Sequence, residues 1–291
     1  MLSPAVIRPA RASDVGAIAA FTQNTFEWGD YVADSFADWL DQPASHLLVA
    51  VDPDDTAIAM SRSRLLSATE AWFHAARVHP EWRGRGIAGE MADVLRTWAA
   101  GEGAVVGRLL IEDDNESSIR HVQKIGFRRV ASVVRCTKPI GDASPSPDGN
   151  GGRRVPSRLR ARPAHATDAT PAFASWSVGE LGRATRGLVG SHWSYARLTV
   201  DHLVSAAKSG DFWEIGGGWA VTDTEDETLE VGWLETRPDD ASDLFKALVD
   251  LAVGSGVESM SVWVPSVDWL VREAKRLGFE TEPMGVYAVE L

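Results

Sequence analysis

The densest chemical signal in the chain is Val78-His79-Pro80-Glu81-Trp82-Arg83-Gly84-Arg85-Gly86-Ile87-Ala88-Gly89. It combines two guanidinium groups with glycines at 84, 86 and 89, and it falls between a stretch that reads as a strand and one that reads as an amphipathic helix. Glycine lets backbone N–H groups approach a ligand closely, and a helix starting at such a turn aims its positive end at the same spot. The chemistry that fits is recognition of a diphosphate, with Arg83 and Arg85 adding fork-like, charge-assisted hydrogen bonds. Each charge near a helix end contributes only about 0.3–1 kcal/mol, so affinity has to be the sum of several amides and arginines. The competing reading is an exposed Arg/Gly turn with no ligand.

The flanking elements must hold this turn in place. Ser13-Asp14 reads as the cap of a helix through Phe21, and residues 46–51, 57–65 and 71–78 read as strands. A helix is expected over 86–100, a strand over 105–111, a helix over 117–125 and a closing strand over 129–137. That order describes a mixed α/β sandwich. Gly141 to Ser157, rich in Gly, Pro and Ser, reads as a flexible connector. Beyond it the order returns more loosely, with strands at 213–222, 229–235 and 260–264 and helices at 242–253 and 267–277. The acidic stretch Asp223–Glu227 reads as a solvated hairpin turn.

Two landmarks tie the halves together. Arg8-Pro9-Ala10-Arg11-Ala12-Ser13-Asp14 matches Arg162-Pro163-Ala164-His165-Ala166-Thr167-Asp168 at an offset of 154, and Lys124-Ile125-Gly126-Phe127 matches Arg276-Leu277-Gly278-Phe279 at 152. Two distant landmarks with nearly the same offset indicate a duplicated domain. The expected organisation is a first domain over 1–140, a linker over 141–157 and a second domain over 158–291.

Composition narrows the function classes. The 291 residues are 44% hydrophobic and 24% charged, an ordinary globular balance. The net charge of −12 opposes general binding to nucleic acid. Only five of the 29 basic residues are lysine, which fits either salt adaptation or a GC-rich genome. The single cysteine, Cys136, cannot form an internal disulfide, and no Cys/His zinc pattern or other metal site is evident. No apolar run approaches a membrane span and the first residues lack a leader pattern, so a soluble, cytoplasmic and unprocessed protein is expected.

The turn resembles the acyl-CoA loop of the GNAT superfamily of acetyltransferases, Arg/Gln-x-x-Gly-x-Gly/Ala, with Arg83, Gly86 and Ala88 at its three positions. Asn115, Ser118 and the closing Gly126-Phe127 stand where the downstream family pattern has an Asn, a small residue on the next helix and a Gly-Phe. The resemblance covers about residues 5–138. It implies a tandem pair of GNAT-like mixed-sheet sandwiches (α/β, or α+β) and acetyl-CoA as co-substrate. By carry-over, the Val78 backbone would align the pantetheine arm, Arg83, Gly84, Arg85, Gly86, Ile87, Ala88 and Gly89 would hold the pyrophosphate, and Asn115 and Ser118 would lie near the thioester. Many members carry a tyrosine seven residues after that Asn to protonate the leaving thiolate; here the position is Val122, leaving Ser118, His121 or solvent.

Amine attack on a thioester requires the amine uncharged, so a proton acceptor is needed. His74, nine residues before Arg83, is the preferred candidate; arylalkylamine-type members carry a histidine close to the amine. Strand alternation puts Trp72, His74, Ala76 and Val78 on one face. The competing reading is a strand histidine packed under a helix. Glu112 and Asp113 are further proton acceptors or plain loop acids.

In the second half the corresponding turn is Thr236-Arg237-Pro238-Asp239-Asp240-Ala241-Ser242, without glycines and with two acids where phosphate would sit. This domain is not expected to bind CoA, and Asp240 or Ser242 reads as a helix cap. Trp193 and Tyr195, beside His192, are candidates for a substrate-facing wall, and Gly216-Gly217-Gly218 marks a turn or bulge. The expected activity is acetyl transfer to a primary amine of a small molecule or amino acid by a monomer. The alternatives are a protein N-terminal or lysine acetyltransferase, or a non-enzymatic acyl-CoA sensor.

Overall fold

A computed structural model describes residues 5–23, 29–141, 158–191 and 193–291. The expected connector over 141–157 thus lies, apart from Gly141, outside the described residues, as does His192. The chain forms two compact units, each a mixed α/β assembly. The first comprises Met1–Leu109, Glu116–Arg128 and Tyr287–Leu291; the second comprises Leu110–Asn115 and Arg129–Val286.

In the first unit the elements run β1 (Val6–Pro9), α1 (Val15–Thr22), α2 (Val32–Leu40), β2 (Ser45–Val51), β3 (Ala57–Ser67), β4 (Glu70–Val78), α3 (Ile87–Gly101), β5 (Val106–Glu112) and α4 (Glu116–Lys124). The strands lie in that order; β1 to β4 pair antiparallel and β4 pairs β5 in parallel. Both faces of β2 are covered, which is why its sequence is a continuous apolar run rather than an alternating one. Leu47, Val49 and Val51 pack with Ile18, Val32 and Phe36 of α1 and α2, while α3 lies against β2, β3 and β4.

The pairing of β4 with β5 is confined to Glu70–Trp72 opposite Val106–Arg108. A buried ion pair, Arg108 Nη1 to Glu70 Oε1 at 2.5 Å, fastens that end. Beside it the strands approach so closely that a Cβ on Gly107 would stand 2.3 Å from the Phe73 ring, which itself packs edge-on against Phe127. From Phe73 onward the described strand pairing of β4 is with β3 alone.

The second unit contains β6 (Arg128–Pro139), β7 (Ala161–Pro163), α5 (Ala169–Val178), α6 (Glu180–Ala184), β8 (Leu188–Ser191), β9 (Ser194–Arg197), α7 (Val200–Ser209), β10 (Phe212–Ile215), β11 (Gly218–Glu225), β12 (Thr228–Glu235), α8 (Ala241–Ser255), β13 (Ser259–Pro265), α9 (Asp268–Arg276) and β14 (Glu280–Glu290). Its sheet runs β14-β6-β13-β12-β11-β10-β7, and β8 and β9 form a separate hairpin. The strand expected over 213–222 is two strands, broken at Gly216 and Gly217, both at positive φ. The acidic turn is present, with Asp226 and Glu227 exposed at positive φ.

The units are not the consecutive blocks 1–140 and 158–291. β6, expected to close the first domain, pairs with β13 and places Val134 and Cys136 in the second unit's core. The last residues of β14 belong to the first unit, where Tyr287 is buried and the Leu291 N–H donates to the Val105 carbonyl at 3.2 Å. The repeated landmarks are equivalent turns. Asp14 accepts the Arg11 N–H at 2.7 Å and Asp168 accepts the His165 N–H at 2.8 Å. Asp14 therefore does not cap α1 as expected; its carboxylate turns back to Arg11 and is gripped by Arg8 at 2.8 and 2.9 Å.

Candidate active site

The turn after β4 begins as one turn of 3-10 helix, Pro80–Trp82, then passes through Gly84 and Gly86 before α3 starts at Ile87. Gly84 (φ 77°) and Gly86 (φ 87°) occupy the left-handed region that glycine enters without penalty. Gly86 is the N-cap of α3 and supplies no side-chain cap, so the first helical amides have no intrahelical acceptor. A Cβ on Gly84 would meet nothing within 4 Å. These amides, at an exposed turn that starts a helix, have the chemistry to receive a phosphate group. The Gly89 N–H donates to the Gly86 carbonyl at 2.9 Å, so Gly89 contributes to the helix rather than to the open amides.

Neither arginine extends away from the turn. Arg83 Nε donates to the Val78 carbonyl at 3.2 Å; Arg85 Nη2 donates to the Glu81 carbonyl at 2.7 Å and its guanidinium lies 4.4 Å from the Trp82 ring centre. Each hydrogen bond uses one N–H of a five-donor fork. Glu90, in the first turn of α3, brings Oε1 within 3.9 Å of where a Gly86 Cβ would stand, placing a carboxylate at the helix's positive end.

His74 lies on β4 opposite Arg62 of β3. The alternation expected along β4 breaks at Ala75, which has φ 58° and forms a bulge: the register passes from Arg62↔His74 to Met60↔Arg77. His74 and Arg77 consequently face the same neighbours. His74 meets Trp39 edge-on at 5.3 Å, Trp39 meets Tyr31 at 5.9 Å, and Arg77 pairs with Asp30 at 2.6 Å beside the Tyr31 ring. Arg62 Nη1 stands 3.2 Å from His74 Nε2. Arginine has only donors, so Nε2 is the acceptor and the ring proton sits on Nδ1. Burial, reinforced by Arg62, Arg64 and Arg77, pushes His74 down to about 3. A base that weak, its Nε2 lone pair engaged by Arg62, is mismatched to removing an ammonium proton near neutral pH. The environment therefore argues against the proton-acceptor role expected for His74.

On α4, His121 and Ser118 are half-buried, and His121 Cε1 is 4.0 Å from a Cβ built on Gly89, so α4 faces the start of α3. Burial, with Lys124 adding to it, lowers the His121 pKa. Val122 is buried carbon. Asn115, just before α4, donates its N–H to the Glu112 carbonyl at 3.1 Å and falls in the segment Leu110–Asn115 of the second unit. Asp113, in the same segment, is paired with Arg129 at 2.9 Å.

In the second unit Asp240 is the N-cap of α8 but forms no side-chain cap, and Ser242 Oγ accepts from Arg276 Nη2 at 2.8 Å, so neither caps as expected. Tyr195 is buried against Trp263 and does not line a surface; Trp193 is 44% exposed, with the Arg135 guanidinium 4.6 Å from its ring centre. Arg62, Gln42 and Trp39 were not expected at the site. The sequence signal for them is an Arg within the apolar strand Ala57-Ile58-Ala59-Met60-Ser61-Arg62, and Val32, Phe36 and Leu40 at helical spacing.

Residues 17–127 match the model of the acetyltransferase (GNAT) family. That stretch carries a GNAT acetyltransferase domain. The domain is that of an acyltransferase enzyme, and solved structures of the same fold extend over both units. A GCN5-related N-acetyltransferase from Sphaerobacter thermophilus is 16% identical, covering 100% of this chain and 97% of its own, with a TM-score of 0.69. An acetyltransferase structure from Thermoplasma acidophilum is 17% identical, covering 98% and 100%, with a TM-score of 0.63. At such identities the likeness concerns fold. No curated protein sequence matches the chain. Among the described residues no helix is long and apolar enough to cross a membrane.

Proposed function

We propose that this protein transfers the acetyl group of acetyl-CoA to a primary amine of a small molecule, and that the first unit carries the chemistry. The supporting observation is the pair of positive-φ glycines, Gly84 and Gly86, at the uncapped start of α3, directly after the end of β4 that β5 leaves unpaired. In this reading the amides of Gly84 to Ala88 receive the pyrophosphate. Arg83 and Arg85 swing from the turn's own carbonyls to add charge, and the exposed edge of β4 through Val78 aligns the pantetheine arm.

The amine nitrogen attacks the thioester carbonyl, the C–S bond breaks, the thiolate gains a proton and the ammonium loses one. With His74 held as a neutral hydrogen-bond acceptor, the amine enters as its free base and its proton leaves to water. Ser118 and His121 of α4 are the hydroxyl and imidazole on the thiolate side, Val122 offering only carbon. The second unit, lacking the glycine turn, serves as scaffold and not as a second CoA site.

The test is release of free thiol from acetyl-CoA by the full chain across a panel of amines, amino acids and peptides. Acceptor-stimulated release, abolished by R83E/R85E with an unchanged melting temperature, is expected. Acetyl-CoA binding with only acceptor-independent hydrolysis would favour a sensor and contradict the proposal.

A further inference from the structure

Arg62 is 2% exposed, and among the described residues no carboxylate lies within ion-pair distance of it. A buried guanidinium without a counter-ion is costly, and its neighbours deepen the cost: burial and Arg64 together pull Arg62 down to about 10. What compensation exists is neutral. Nη1 donates to His74 Nε2, Nη2 donates to Gln42 Oε1, and the Trp39 ring centre is 4.9 Å from the guanidinium carbon. Nε is buried and has no partner.

Nε and Nη2 form one edge of the guanidinium, the side-on fork that matches the two oxygens of a carboxylate. Here one donor of that edge is unmet and the other is held by the amide oxygen of Gln42, an exposed residue just past α2 that can turn away. Gln42 and Trp39 also line an open depression of about 440 Å³, with Ala37, Asp38 and Asp41. Gln42 therefore links that depression to Arg62, lining the one and accepting from Nη2 of the other. The two aspartates stand outside ion-pair range of Arg62 and leave its charge uncompensated.

We infer that the acceptor is an amine that also carries a carboxylate, and that Arg62 binds this carboxylate through Nε and Nη2 once Gln42 moves aside. The inference rests on the acyl-transfer reading above and specifies its substrate class. His74, which accepts from Nη1, is a positioning residue that holds the guanidinium and leaves the Nε/Nη2 edge for the carboxylate.

The experiment measures thiol release by the full chain with acetyl-CoA and matched acceptors: L-amino acids, ω-amino acids of increasing length, and the carboxamide of each, with aminoalkyl phosphates as a third arm. The expected result is at least one pair in which the acid exceeds its carboxamide about tenfold or more in kcat/KM, through KM. R62M should collapse that ratio to near one by raising KM for the acid, and R62K, which keeps charge without the fork, should retain an intermediate ratio. The carboxamide rates and the melting temperature report whether R62M folds, and the wild-type ratio stands without any variant. Equal rates for acids and carboxamides, a preference for phosphates alone, or an R62M ratio equal to wild type would overturn this inference and leave acyl transfer standing. No release with any acceptor would overturn both.

Discussion

At the scale of single residues, the structure separates groups that titrate usefully from groups that are merely near the site. His74 has the right residue type for a base but the wrong surroundings: three arginines and burial hold it neutral. His74→Gln, which can present an amide oxygen to Arg62, should lower kcat less than about tenfold and leave the shape of the pH–rate profile intact, whereas removing a true general base costs about 10²–10⁴-fold. A profile that loses its lower limb in H74Q would restore the base assignment. Glu235 offers the opposite case. It is buried at the end of β12, Oε1 accepts from Ser175 at 2.8 Å, and Oε2 is without a partner among the described residues. Burial raises its pKa against the opposing effects of Ser175 and Arg237. A raised carboxyl pKa means stability present below the unfolded value and lost as pH rises through the folded one. Glu235→Gln should therefore raise the melting temperature at pH 8 relative to wild type, with the gain shrinking toward pH 4; a loss at pH 8 would show that the ionised form is stabilising.

At the scale of elements, the site depends on where β4 stops pairing with β5. The contact of Gly107 with Phe73 and the Arg108–Glu70 pair fix that point. Gly107→Ala drives a Cβ into a buried ring and should cost about 1–3 kcal/mol, read as a lower denaturation midpoint at unchanged slope. The long amphipathic and apolar elements were legible in sequence: α3, expected over 86–100, runs Ile87–Gly101, and β2 to β5 fall within about two residues of expectation. The bulge at Ala75 was not, because an alanine at positive φ leaves no trace in hydrophobic alternation. Plain alternation along β4 would put His74 and Val78 on one face, which the bulge prevents. Helix α2, which carries Trp39 and ends just before Gln42, has only the Val32, Phe36 and Leu40 spacing to announce it in the sequence.

At the scale of the whole molecule, the likeness of the Arg8–Asp14 and Arg162–Asp168 turns was legible in sequence and recurs in their hydrogen bonding, but the membership of the units was not legible. Strand pairing between distant segments is set by tertiary contacts that no local pattern records, so β6 and the end of β14 could not be placed from sequence. This has a consequence for any fragment. A chain ending at residue 140 lacks Tyr287–Leu291, and Tyr287, 1% exposed, is a buried aromatic of the first unit's share. Tyr287→Ala in the full chain should cost about 3–5 kcal/mol, and residues 1–140 alone should show a broad, low-temperature unfolding transition; a sharp transition matching the full chain would contradict that membership.

In the proposed function the turn after β4 holds the cofactor's diphosphate and the turn after β12 does not. Amide hydrogen exchange of the full chain with and without acetyl-CoA tests it most directly, since it reads the backbone N–H groups themselves. Slower exchange at Gly84–Ala88, with Thr236–Ser242 unchanged, is the predicted result. Slowing at Thr236–Ser242, or no change at Gly84–Ala88 under saturating acetyl-CoA, would contradict it.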